Sequence, residues 1–153
     1  MLGALWSACA SAPIGTEQER CDRYTPLVVA AAREYDVDAD LIAAIASLES
    51  RWNPAAESRA GARGLMQIMP STGRRLRCGD LYTPRDNLRC GARLLKRLLD
   101  RYDGRVDFAL AAYAMGARLP DRAYRAGQPA PRQRFIARVE VARQRWLEGR
   151  CRP

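Results

Sequence analysis

The sequence predicts an all-α domain with little or no sheet. Apolar residues recur at helical spacing in segment after segment, and nothing reads as a clear sheet. Helix-start signals, a Thr, Asp or Asn just ahead of a Pro or an acidic residue, punctuate the chain. At 153 residues and 48% hydrophobic composition, the chain is long enough to bury one core.

Residues 1–20 read as leader and linker, with small residues, Pro13 and Gly15 ahead of a charged run. Residues 21–151 read as one domain. A first helix is expected over 25–35, capped by Thr25 with Pro26 at its first position. Leu27, Val28, Ala31 and Tyr35 form its stripe. A second starts near Asp38, a good N-cap, with Leu41, Ile42, Ile45 and Leu48 on its apolar face. Asn53-Pro54 then breaks it, and Asn53 is expected to cap a short helical turn over 54–60. Gly61 and Gly64 lead into Leu65-Met66-Gln67-Ile68, read as an extended, strand-like segment passing close to another backbone.

Pro70 opens a short helix to about Leu76, and Cys78–Thr83 is a loop. Thr83-Pro84 opens the longest helix, to about Tyr102, with Leu88, Ala92, Leu95 and Leu99 in register. The run from Val106 to Met115 is apolar almost all round, which places it at the domain centre. A Pro- and Gly-containing connection over 117–131 precedes a last helix to about Leu147, which carries Phe135, Ile136, Val139, Ala142 and Trp146.

Net charge is +9, and Lys96 is the single lysine among 26 basic residues. This balance suggests an anionic partner, such as nucleic acid, an acidic membrane surface or an acidic polymer. The alternative is a solvated Arg-rich surface, since the arginines form no block. The chain has no His, which excludes a Ser-His-Asp triad, a Cys-His nucleophile and any His-bearing metal site within it. No cofactor is called for. No apolar stretch reaches the ~18 residues of a membrane span.

Five cysteines are present and none makes a CxxC pair, which argues against zinc or redox chemistry. Cys9 follows a short apolar start in Leu5-Trp6-Ser7-Ala8. That start resembles a bacterial lipobox, with Trp6 where an aliphatic residue is usual, and Cys9 is therefore a candidate lipidation site. The other four allow three connectivities. The preferred one joins Cys78 to Cys90, closing a local loop, and Cys21 to Cys151, tying the first helix to the last. Two disulfides imply an oxidising compartment such as the periplasm.

Glu49 is the candidate catalytic residue. It lies one step past the apolar face of the second helix, at its C-terminal end, where the helix dipole opposes negative charge. Helix stability does not explain it. A lone acid beside a packed apolar wall keeps its proton near neutral pH, as a general acid/base requires.

Glu49-Ser50, Asn53-Pro54, Gly61-Ala62-Arg63 running into Gly64-Leu65-Met66-Gln67-Ile68, Leu81-Tyr82-Thr83-Pro84, Asn87, Gly91-Ala92-Arg93 and Leu110-Ala111-Ala112-Tyr113 stand in order along the chain. Together they resemble the catalytic domain of family 1 lytic transglycosylases, the SLT group with a lysozyme-like fold, over about residues 24–147. The resemblance implies cleavage of the β-1,4 bond between N-acetylmuramic acid and N-acetylglucosamine in peptidoglycan. It also implies a 1,6-anhydromuramyl product. Glu49 would protonate the glycosidic oxygen and then take the proton of the C6 hydroxyl. By the same resemblance Tyr113 would donate a hydrogen bond to position Glu49. Ser50 would contact substrate, and Met66 and Gln67 would line the sugar groove. The family commonly reads Ala-Tyr-Asn-Ala-Gly where residues 112–116 are Ala-Tyr-Ala-Met-Gly, so Ala114 lacks an amide. Phe135-Ile136 stands where Tyr-Val is frequent.

The expected partner is the glycan strand, acted on by a monomer in the periplasm or cell envelope, with an outer-membrane lipid anchor as a further candidate. Two alternatives share the fold: a lysozyme-like hydrolase and a non-catalytic wall-binding module, the latter suggested by Ala114. A nucleic-acid binder is disfavoured, since no helix-turn-helix signature stands out and aromatics do not interleave with a basic stripe.

Overall fold

The structure, a computed structural model, describes residues 14–151. Its helices are α1 (Glu17–Tyr35), α2 (Ala39–Ser50), α3 (Pro70–Arg75), α4 (Pro84–Arg101), α5 (Val106–Met115), α6 (Arg118–Arg125) and α7 (Gln133–Leu147). Among the described residues the only β pairing is two isolated antiparallel bridges, Glu57 with Arg63 and Arg63 with Ile68. Among the described residues no helix is long and apolar enough to cross a membrane. The candidate lipidation site Cys9 lies outside the described residues.

α2 is the core helix. Leu41 to Ser47 are all buried, because the sequence is apolar on nearly every face. It packs chiefly on α7 and α1, while α4 packs on α1 and α5. Arg143 of α7 fixes the α2 N-terminus by reaching Asp40 at 2.6 Å and Asp38 at 3.3 Å. Asp38 therefore occupies the cap position without bonding the helix backbone through its side chain. A second cluster forms where Tyr102, Phe108 and Tyr124 meet, with Phe108 and Tyr124 edge to face at 5.0 Å.

Several local expectations are corrected. α1 begins at Glu17, so residues 17–20 are helix and not linker; Thr16 and Glu19 form a capping box. Thr25 is mid-helix, where its hydroxyl bonds back to the Cys21 carbonyl at 2.9 Å, and Pro26 is tolerated inside the helix. Residues 54–60 form turns and no helix. The Ala56 carbonyl already accepts from the Gly64 amide at 2.8 Å and from the Gln67 side chain at 3.1 Å, so it does not continue a helical ladder. Residues 64–67 form a closed turn instead of an extended run. Arg63 and Ile68 exchange both backbone hydrogen bonds at 3.0 Å, and Gly64 (φ 74°) and Gln67 (φ 50°) reverse the chain between them. The connection over 117–131 contains α6, with Pro120 in its first turn, where a missing N–H costs nothing.

Both preferred disulfides are present. Cys78 and Cys90 have Cα atoms 5.6 Å apart, and Cys21 and Cys151 6.0 Å. The long bridge brings the chain end to α2: the buried Ser47 hydroxyl donates to the Cys151 carbonyl at 3.0 Å.

Candidate active site

Glu49 sits half-buried in the last turn of α2. The helix stops at once because Arg51 (φ 51°) and Trp52 (φ 61°) adopt left-handed backbone, and Trp52 is fully buried. Two successive non-glycine residues in this region store strain that the surroundings must hold. Arg20 supplies part of that hold. It is 9% exposed, and its guanidinium donates to the Arg51 carbonyl at 3.0 and 3.3 Å. A cation there also complements the negative end of the α2 dipole.

Burial pushes the Glu49 carboxyl above the ordinary glutamate range. Arg138 and, less strongly, Arg132 pull it down, and burial prevails. No second carboxylate contributes to the shift. Tyr113, on α5, is pushed well above the usual phenol value by burial and then by the Glu49 charge. Its hydroxyl is therefore a hydrogen-bond donor at every pH of interest, within electrostatic reach of the acid. The donation, however, goes to the Met66 carbonyl at 2.6 Å. Tyr113 thus holds the 64–67 turn against α5, where the resemblance placed its hydrogen bond on Glu49.

The other expected site residues separate. Ser50 follows the acid, half-exposed, with its hydroxyl donating back to the Ala46 carbonyl at 3.0 Å. The Met66 side chain is fully buried in the main core. Its sulfur lies over Gly91, where an added Cβ would meet it at 2.0 Å. Gln67 is half-exposed, and its amide nitrogen donates to the Ala56 and Gly64 carbonyls at 3.1 and 3.0 Å. Among the described residues no donor reaches its side-chain oxygen, which remains an acceptor. Ala114 is half-exposed and Met115 is 38% exposed.

Asn87 has a role the sequence left unassigned. Fully buried on α4, it accepts from the Met66 amide at 2.7 Å and donates to the Arg63 and Leu81 carbonyls at 2.8 and 2.7 Å. The bonds to Met66 and Arg63 hold the 64–67 turn and its flank, and the third ties in the loop that carries Leu81. The readable signal is an amide on the buried stripe of α4, one turn before Cys90 and Gly91, because a buried amide needs partners. Gly64 is required by the same closeness: a Cβ there would lie 2.1 Å from the Leu81 carbonyl oxygen. Close backbone approach at this segment, expected from its glycines, thus holds, although the extended geometry does not. Arg20, Arg132 and Arg138 carry no distinguishing signal in the sequence, being three among many arginines.

This fold and site define a class of protein: an all-α domain with a single half-buried acid at the end of its core helix, next to a tyrosine-anchored turn. The chain belongs to the transglycosylase SLT domain family, whose model matches residues 26–135. Over 87 residues it is 45% identical to the transglycosylase of Enterobacteria phage PRD1, a match covering 57% of this chain and 32% of the relative. It is 36% identical over 106 residues to the membrane-bound lytic murein transglycosylase F of Cellvibrio japonicus, covering 65% and 21%. Its fold matches the 70-kDa soluble lytic transglycosylase of Escherichia coli with a TM-score of 0.68 at 25% identity, over 84% of this chain and 25% of that one. The complex of the 70-kDa soluble lytic transglycosylase with bulgecin A matches at 0.71 and 26% identity, over 87% and 26%. The chain spans between about a fifth and a third of the length of these proteins.

Proposed function

We propose that this chain is a peptidoglycan lytic transglycosylase that cleaves the β-1,4 bond between N-acetylmuramic acid and N-acetylglucosamine. The observation that carries the reading is Glu49: one acid, half-buried, with its pKa raised by desolvation and no second carboxylate acting on it. Two-carboxylate glycosidases divide acid and nucleophile between a pair. A single acid suits a reaction in which the nucleophile belongs to the substrate. Glu49 protonates the glycosidic oxygen as the C1–O bond breaks. The resulting carboxylate then removes the proton of the C6 hydroxyl, which bonds to C1 of the same sugar and closes the 1,6-anhydro ring. The proton count balances and Glu49 ends protonated. The substrate's acetamido group steadies the positive centre in between. Ser50 and the Gln67 side-chain oxygen serve as polar contacts for the sugar, and Tyr113 acts as a positioning residue through the turn.

The two disulfides support an oxidising site of action in the bacterial envelope. The names of relatives such as membrane-bound lytic murein transglycosylase F agree with that location. Lipidation at Cys9 would add an outer-membrane anchor, and the monomer is the proposed working unit.

The test is mass analysis of sacculi digested with wild type and Glu49→Gln. Release of 1,6-anhydro-muropeptides by the wild type and none by the variant is expected. Reducing-end products alone would mean a lysozyme-like hydrolase. Saturable sacculus binding with no release would mean the wall-binding module that Ala114 suggests.

A further inference from the structure

The two disulfides differ in what a reagent can reach. Cys21 is fully buried and Cys151 is buried at the chain end. Cys90 is buried on α4, but its partner Cys78 is half-exposed. Both sulfur-bearing residues line a surface cleft of about 100 Å³, together with Arg77, Asp86, Arg89 and Arg93. Arg89 also pairs with Glu34, which leaves Arg77 and Arg93 against Asp86 and a cleft that is positive on balance. A cation near a cysteine favours its thiolate, and a sulfur that leaves as a stabilised thiolate leaves faster. The backbone entering Cys78 is constrained as well. Arg77 is exposed and holds left-handed backbone at φ 52°, a conformation that persists only while its surroundings impose it.

The exposed bridge is also the one tied to the 64–67 turn. Cys90 stands on α4 between Asn87, one turn earlier, and Gly91, the next residue. Asn87 bonds the Met66 amide on one side and the Leu81 carbonyl on the other. Gly91 lies against the Met66 sulfur, and the Leu81 carbonyl oxygen lies against Gly64. Leu81 belongs to the 78–90 segment that the bridge closes. The bridge, the loop and the turn therefore form one chain of contacts. The turn in its place carries Gln67 and is bonded by Tyr113. The long bridge has a different task, since it joins α1 to the chain end.

We infer that the Cys78–Cys90 bridge is a thiol-exchange site, at which a dithiol reductant frees the 78–83 loop, loosens the 64–67 turn and lowers activity. The inference rests on the transglycosylase reading above and adds control of that site. A thiolate of the reductant attacks the half-exposed Cys78 sulfur, and Cys90 departs as a thiolate. The second thiolate of the reductant then attacks the mixed disulfide and releases Cys78. The protein gains two electrons and two protons, and the dithiol becomes a disulfide. The chain supplies no redox chemistry of its own and is the substrate of this exchange. An oxidising surrounding keeps the bridge closed and the enzyme active.

The experiment titrates the oxidised protein with dithiothreitol. One portion of each sample is alkylated with iodoacetamide and mapped by peptide mass spectrometry. A second is assayed for anhydromuramyl ends on sacculi, and a third is followed by amide hydrogen exchange. Cys78 and Cys90 should become alkylated while Cys21 and Cys151 stay joined. In that state activity should fall about tenfold, since a misplacement of about 1 Å costs up to 10²-fold. Exchange should quicken at the Met66 amide and over residues 78–83 but not in α2, and reoxidation should restore the rate. Cys78→Ser/Cys90→Ser should show the low rate with or without dithiothreitol. Opening of the long bridge first, or an unchanged rate and exchange once Cys78 and Cys90 are reduced, would overturn the inference. A rate that reoxidation does not restore would overturn it as a switch. Absence of anhydro ends from the fully oxidised protein would overturn the transglycosylase reading, and the order of reduction and the exchange at Met66 would still decide whether the bridge opens and loosens the turn.

Discussion

The Tyr113 hydroxyl donates to the Met66 carbonyl oxygen at 2.6 Å, joining α5 to the 64–67 turn. The two residues are 47 positions apart in sequence, and the bond makes the position of the turn depend on the packing of a distant helix. Tyr113→Phe removes this donor and leaves the Met66 carbonyl without it. The expected loss is about 1–3 kcal/mol of unfolding free energy, read by urea denaturation, together with reduced release of anhydro-muropeptides. An unchanged denaturation midpoint would show that the bond contributes nothing to the fold.

Glu49→Gln should abolish product release, a loss of at least about 10²-fold for a general acid/base. It should also change how stability depends on pH. Burial raises the carboxyl pKa in the folded state above its unfolded value. The stability belonging to the protonated side chain is full below the unfolded value, about 4.3, and is lost as pH rises through the folded value. The glutamine variant does not titrate. Wild type should therefore lose stability relative to Glu49→Gln as pH rises above about 4 and through the raised folded-state value, and the two should converge in acid. Paired urea melts at several pH values measure this, and a gap that does not vary with pH would count against a buried acid.

Arg138→Gln removes the larger of the two positive influences on Glu49. The acid should then hold its proton to a still higher pH, and the basic limb of the pH–rate profile should move upward. A profile that stays in place would place Arg138 beyond electrostatic reach of the carboxyl.

Asn87→Ala deletes three hydrogen bonds inside the core, to Met66, Arg63 and Leu81. Each orphaned backbone group costs about 1–3 kcal/mol, so a loss of several kcal/mol is expected. Gly91→Ala should destabilise by about 1–3 kcal/mol through forced displacement of the Met66 sulfur. Guanidinium unfolding followed by circular dichroism reads both.

Replacing Cys21 and Cys151 by Ala frees a bridge that spans 130 residues of sequence. The expected cost is about 2–5 kcal/mol. Because Ser47 donates to the Cys151 carbonyl, amide hydrogen exchange should accelerate in α2 as well as near the chain end. Exchange changes confined to residues after Leu147 would show that the bridge only pins the terminus.

Periodicity makes most helices readable. α4 and α7 carry apolar stripes that face the core, α2 and α5 are apolar nearly all round and so lie inside it, and the Pro at the start of α3 and α4 fixes where those helices begin. Glu49 is readable for the opposite reason, as a charge that its own helix does not favour. Local signals fail where a tertiary bond or an upstream cap overrides them. Thr25-Pro26 is a good helix start, yet the Thr16–Glu19 capping box upstream carries α1 through it. Asn53-Pro54 would start a helix if the Ala56 carbonyl were not already bonded to Gly64 and Gln67.

By itself the sequence determined the helical class, the candidate acid and a cysteine count that allows two bridges, because hydrophobic period, misplaced charge and cysteine number are properties of the chain alone; which cysteines pair was decided by the fold. Tertiary structure decided that Tyr113 bonds the Met66 carbonyl, that Asn87 holds the turn and that the charges of Arg132 and Arg138 bear on the acid. Each of these depends on where two remote helices come together, and the distance between groups far apart in sequence is set only when the core packs.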